Sequence, residues 1–301
     1  MRVISLLPAA TEMVAALGAT ELLVGISHEC DHPTIVGSRA RVTSSAVDSA
    51  AAPETIDAQV RALHDAGASL YTLDETLIRA LRPDVIVTQA LCDVCAVSET
   101  DVRALASRLD PVPVIVTISA TTLDGVFDDI TRVAAALDRA DEAEELIAGF
   151  RARMRTVHET LKAAQAPRPR VAFLEWTAPV FPGGHWVPEM IKRAGGIDGL
   201  AQAGMHASAI EIAQVAEANA DVVIVAPCGY DVVRASTEAT ALLRAPGWEF
   251  LTGAAVWSLD ANAFSSRPGP RLVDGIEILA RIFNPGCFTP LDGSHARHIT
   301  A

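Results

Sequence analysis

Apolar positions along the chain cluster into short, nearly uninterrupted runs: 2–7, 22–26, 85–89 and 112–117, then 171–174, 222–225 and 255–259. Most are rich in Val and Ile and lack a polar face, which is the pattern of parallel strands covered on both sides. Between them, apolar residues recur at helical spacing over 11–17, 54–66, 74–82 and 98–109, and again over 188–193 and 271–283. Strands alternating with helices predict an α/β fold. From Thr122 to Ala166 the strand pattern disappears, and Leu146, Ile147, Phe150, Met154, Val157 and Leu161 mark one apolar stripe. A long helix is expected there, with Asp138–Asp141 as a break or a fresh N-cap and Pro167 and Pro169 as its end.

The same plan occurs twice. Arg2-Val-Ile-Ser-Leu runs into a turn at Pro8 and a helix, then Gly18 and His28; Arg170-Val-Ala-Phe-Leu174 is followed by a helix, Gly196 and His206. Both Gly-to-His intervals are ten residues. Arg82-Pro-Asp84-Val-Ile-Val87 is echoed by Asn219-Ala-Asp221-Val-Val-Ile-Val225. The expectation is two Rossmann-like lobes, each around a central parallel sheet. The first spans 1–120, a long backbone helix 121–168 joins it to the second at 169–290, and 291–301 forms a flexible tail.

Half of the 301 residues are hydrophobic, enough for two cores. A formal charge of −13 argues against nucleic acid or an anionic membrane surface as the main partner. No stretch reaches the roughly 18 apolar residues of a membrane span. Met1-Arg2 leads straight into the first strand without the basic and apolar segments of an export signal, so a cytoplasmic location is expected.

Five cysteines are present: Cys30, Cys92, Cys95, Cys228 and Cys287. In a reducing compartment they suit ligand or reactive roles better than disulfides. Cys30 lies in His28-Glu-Cys-Asp-His32 just past one strand, and Cys92-Asp-Val-Cys95 just past another. Loops beyond the carboxyl ends of parallel strands line the crevice where ligands bind. By the same argument Glu175-Trp-Thr-Ala-Pro-Val-Phe181-Pro-Gly-Gly-His185-Trp186 and Asp260-Ala-Asn-Ala-Phe264-Ser-Ser-Arg267 face such an edge. Aromatic residues make up only 5% of the chain, so two Trp and one Phe in a single loop stand out.

The opening Arg2-Val-Ile-Ser-Leu-Leu-Pro-Ala-Ala-Thr-Glu12, the segment Leu81-Arg-Pro-Asp-Val-Ile-Val87 and the closing Ser266-Arg-Pro-Gly-Pro-Arg271 resemble the helical-backbone metal receptors. These are the class III substrate-binding proteins of ABC importers for vitamin B12 and iron siderophores, and the resemblance is greatest to the cobalamin-binding branch. It covers about residues 1–285. It implies a corrinoid or other metal chelate held in an interlobe cleft, for sequestration or delivery. It also implies an exposed Glu on each lobe that docks a protein partner, at Glu12 and Glu189 here.

Under that reading His28, Cys92 and His185 are candidate axial or edge contacts of cobalamin or another corrinoid. Trp176, Trp186 and Phe264 are its apolar walls, with indole N–H groups open to the macrocycle's amides, and Asp260 and Arg267 meet its polar substituents. A second reading takes His28, Cys30, Cys92 and Cys95 as ligands of a bare zinc or other transition-metal ion. A third is a thiol-dependent enzyme pairing Cys92 with His28 or His185. The chain lacks a Gly-rich dinucleotide turn, a phosphate loop and a nucleophile elbow, so a binding protein is favoured over an enzyme.

Overall fold

The apolar runs are strands in the computed structural model, which describes residues 1–90 and 97–300. The chain divides into two units, Met1–Ala120 with Asp124–Ala148, and Thr121–Leu123 with Gly149–Ala301. In chain order the first part contains β1 (Val3–Ser5), α1 (Pro8–Ala16), β2 (Leu23–Ile26), β3 (Ala40–Arg41), β4 (Thr43–Ser45), α2 (Pro53–Asp65) and β5 (Tyr71–Leu73). There follow α3 (Glu75–Leu81), β6 (Val85–Gln89), α4 (Glu99–Ala106), β7 (Val114–Ile118), α5 (Leu123–Ala136) and α6 (Ala140–Ala163).

The first sheet has the order β3-β2-β1-β6-β7, and every neighbouring pair is parallel. All residues of β1 and β6 are buried, as a sheet covered on both faces requires. One face packs Ile4, Ile86, Val42, Ile78, Val102 and Leu105 into a core. Helices begin where polar side chains can take up orphan N–H groups: Asp74 accepts from Leu77 N–H at α3, and Ser98 from Asp101 N–H at α4.

The second unit contains β8 (Arg170–Thr177), β9 (Val180–Pro182), α7 (Val187–Arg193), β10 (Ile197–Asp198), α8 (Ile212–Glu217), β11 (Val222–Val225), α9 (Val232–Leu242), β12 (Ala255–Leu259), α10 (Ala261–Phe264), α11 (Leu272–Phe283) and β13 (Ala296–Ile299). Its sheet runs β10-β8-β11-β12-β13, with β9 folded back on β8. The parallel set β10-β8-β11-β12 repeats β2-β1-β6-β7 strand for strand. Ala172, Leu174, Val223, Val225, Trp248 and Val256 form part of its core.

The break expected at Asp138–Asp141 is present, so the segment 121–168 is two helices and not one long one: Asp138 takes a left-handed φ of +56° and Arg139 N–H bonds back to the Ala134 carbonyl at 2.9 Å. The second of them, α6, has 24 residues and buries the seam Ile147, Phe150, Met154 and Val157. Its Arg153 bridges Asp274 and Glu277 of α11 at 2.5 and 2.8 Å. The tail 291–301 is not frayed over its described length. Ala296–Ile299 pairs antiparallel with β12, His298 packs on Trp257 with ring centroids 5.1 Å apart, and Ala296 is buried. An edge strand offers unpaired backbone groups, and the tail satisfies them.

Candidate functional site

In the first unit His28 follows β2 directly. Its backbone N–H and its Nδ1 both meet Thr43 Oγ1, at 3.0 and 2.7 Å, and its ring lies against Tyr71 with centroids 5.8 Å apart. Arg41 clamps the turn that carries it, donating through Nη1 to the carbonyls of Ser27 and Cys30 at 2.8 and 2.5 Å. Burial, and then the nearby Arg41 charge, hold the His28 imidazole below its ordinary pKa, so the neutral ring is favoured. A ligand to this ring has to use Nε2.

Cys30 turns the other way. It is 1% exposed, and its Sγ lies 3.0 Å from Thr11 Oγ1. His32 is exposed. Cys92 and Cys95 lie outside the described residues, as does the loop after β6 that would carry them. Among the described residues no three His, Cys, Asp or Glu side chains gather as a metal site. The quartet of His28, Cys30, Cys92 and Cys95 therefore starts with a buried, hydrogen-bonded thiol.

In the second unit the carboxyl edge of the sheet is built around β8. Glu175 ties three segments there. Its Oε2 accepts from Gly184 N–H at 3.0 Å, and its carbonyl accepts from Cys228 N–H at 3.0 Å in the turn after β11. Trp176 is half-buried and meets Tyr230 edge to face, with centroids 5.8 Å apart. Arg234 stacks over the Tyr230 ring at 3.7 Å. His185, with φ +54°, stacks on Trp186 at 5.4 Å, and its Nε2 lies 3.0 Å from Nδ1 of His206. Burial, and then His206, push the His185 pKa down.

Several of the expected contact residues are buried or already hydrogen-bonded. Trp186, Phe264 and Arg267 are all buried. The indole N–H groups are already used: Trp176 donates to the Ala178 carbonyl at 3.1 Å and Trp186 to the Ser265 carbonyl at 2.7 Å. Arg267 donates to Asn262 Oδ1 at 2.7 Å, and Phe264 packs against His295 with centroids 4.8 Å apart. Asp260 caps α10 by accepting from Ala263 N–H at 2.9 Å, and burial raises its pKa. Of these contacts, the Trp186–Ser265 hydrogen bond ties the turn between β9 and α7 to the turn after α10.

The docking carboxylates are corrected too. Glu12 is 3% exposed on the buried side of α1, and Glu189 is half-buried with Oε2 accepting from Leu123 N–H at 2.7 Å. Glu12 is therefore not the exposed carboxylate that the resemblance implies, and one oxygen of Glu189 is engaged within its own unit. His206 was not among the site residues expected from sequence. The ten-residue interval from Gly196, matching Gly18 to His28, was the signal for it, since β10 repeats β2 and both His follow those strands. A surface groove of about 460 Å³ runs along α6 and α11, lined by Arg153, Thr160, Glu277, Arg281, Cys287 and Phe288. Its Arg153 is committed to the α11 carboxylates.

Two parallel α/β units built on one repeated plan have the class III periplasmic-binding-protein fold. Residues 3–255 match the family model described as periplasmic binding protein, and the chain belongs to that family. Solved structures agree in fold. A periplasmic heme-binding protein from Pseudomonas aeruginosa is 21% identical, with a TM-score of 0.72 over 100% of this chain and 98% of that one. The periplasmic heme-binding protein RhuT from Roseiflexus sp. RS-1 is 21% identical, with a TM-score of 0.69 over 96% and 99%. The periplasmic vitamin B12-binding protein BtuF of Vibrio cholerae is 22% identical, with a TM-score of 0.64 over 94% and 96%. No curated protein matches the chain by sequence.

Proposed function

We propose that this protein binds a metal-centred macrocycle of the corrinoid kind, cobalamin first among them, at the carboxyl edge of its second sheet. One observation carries the reading: a neutral-favoured imidazole, His185, stacks on Trp186 on the same strand-end edge as the Trp176–Tyr230 pair. Aromatic faces suit a large flat ring, and a neutral imidazole is a good axial ligand for a borderline metal. His28 in the first unit, the counterpart of His206 in the repeated plan, is a second imidazole held below its ordinary pKa by burial. Similarity in fold to proteins named for heme and for vitamin B12 is consistent with this class of cargo.

Visible absorption titration with hydroxocobalamin, and separately with hemin, tests it. A saturable shift of the corrin bands at one equivalent, weakened at least tenfold by Trp176→Ala, is the expected result. A hemin shift with silent corrin bands replaces corrinoid by porphyrin. No response to either macrocycle overturns the proposal.

A further inference from the structure

We propose that His185 and His206 together form a chelating site for a bare divalent transition-metal ion of the imidazole-favouring kind, such as zinc(II), nickel(II) or copper(II). This goes beyond macrocycle binding, because the ion would be held by two protein nitrogens with no chelate around it.

The geometry is that of two cis ligands. Nitrogens each about 2.0–2.1 Å from one ion, at an angle of about 90–110°, stand roughly 2.9–3.4 Å apart. His185 Nε2 and His206 Nδ1 are 3.0 Å apart, and the rings meet nearly perpendicular, at 79°, rather than stacked. With Nε2 of one ring and Nδ1 of the other as ligands, each imidazole carries its proton on the remaining nitrogen and stays neutral, as a metal ligand must.

The pair is held by the backbone. His185 N–H donates to the Met205 carbonyl at 2.7 Å, and Gly204 N–H donates to the His185 carbonyl at 2.8 Å. Gly184, beside it, lies so close to the other loop that a Cβ there would fall 2.8 Å from Ala207 N. The His185 ring is further fixed by stacking on Trp186, itself buried and tied to Ser265. One side of the site is therefore rigid, while His206 is exposed and open to ions from solvent. Two protein ligands leave the remaining positions to water or to a donor group of another molecule. Imidazole pairs favour zinc(II), nickel(II) and copper(II) over magnesium or calcium, which take oxygen.

The test is a zinc(II) titration of the untagged full chain against a chromophoric chelator, without any macrocycle, so that it reads independently of corrinoid binding. The variants are His206→Ala, His185→Asn (Asn tolerates the left-handed backbone) and His32→Ala as an exposed control. Circular dichroism of each variant confirms folding. One equivalent bound, weakened at least tenfold by either pair variant and unchanged by His32→Ala, is the expected result. A plain imidazole–imidazole hydrogen bond accounts for the same separation and takes up no zinc. Absence of uptake, or uptake that survives both pair variants, overturns the proposal.

Discussion

The indole N–H of Trp186 donates to the carbonyl of Ser265 at 2.7 Å, joining the turn between β9 and α7 to the turn after α10 across 79 residues of sequence. Trp186 is 5% exposed, so the bond is shielded from water. Trp186→Phe keeps most of the apolar contact but leaves a buried carbonyl without its donor, which costs about 1–3 kcal/mol. Trp186→Ala also opens a cavity and costs about 3–5 kcal/mol. Urea unfolding measures both; equal stability of the Phe variant and the parent would show that the bond is not formed.

Gly275 lets α11 press against the turn after α10. A Cβ there would sit 2.2 Å from the Phe264 carbonyl oxygen and 2.7 Å from Met190 Cε. The side chain can move, but the carbonyl belongs to backbone, so Gly275→Ala is expected to destabilise by about 1–3 kcal/mol. Gly149, exposed on α6, is different: a Cβ added there would meet nothing within 4 Å. Gly149→Ala is expected to raise stability by about 0.5–1 kcal/mol. Thermal melts of the two variants should move in opposite directions.

Stability should depend on pH through two histidines. His28 and His185 both have their pKa lowered from 6.5 by burial. The unfolded chain then binds more protons than the folded one as pH falls through 6.5. The stabilising contribution is complete above that value and is lost on acidification down to the folded-state pKa. Denaturant midpoints measured from pH 7.5 to pH 5 should fall, and the fall should shrink in His28→Gln and His185→Asn. A pH-independent midpoint would contradict the burial of both rings.

The thiols should differ sharply in reactivity. Cys228 is exposed, whereas Cys30 is buried beside Thr11. Alkylation with iodoacetamide, followed by peptide mass mapping, should label Cys228 within minutes and Cys30 only after denaturant is added. Early labelling of Cys30 would place its thiol at the surface and restore it as a ligand in the first-unit loop.

Much of the fold is legible in local pattern. Val85–Gln89 and Val222–Val225 read as strands because a parallel strand covered on both faces has no polar side to hide, and all of their residues are buried. The repeat was legible as well: the Gly-to-His interval predicted two copies of one plan, and β2-β1-β6-β7 recurs as β10-β8-β11-β12. The family was legible in other segments, Arg2–Glu12, Leu81–Val87 and Ser266–Arg271, and the match of residues 3–255 to the family model agrees with it.

Side-chain direction was not legible, because it depends on partners distant in sequence. Cys30 stands between His28 and His32 in the chain, and only the packing against Thr11 turns its thiol inward. Glu12 looks like any surface carboxylate until α1 places it at 3% exposure. Ala296–Ile299 is too short and polar to announce a strand, and becomes one because β12 has an open edge. The strands and the repeated plan were set by local sequence, since each rests on residue pattern and spacing along the chain and not on contacts. The meeting of His185 with His206 and the bond from the Trp186 indole to the Ser265 carbonyl were settled by tertiary structure, because those contacts exist only when segments far apart in the chain are brought together.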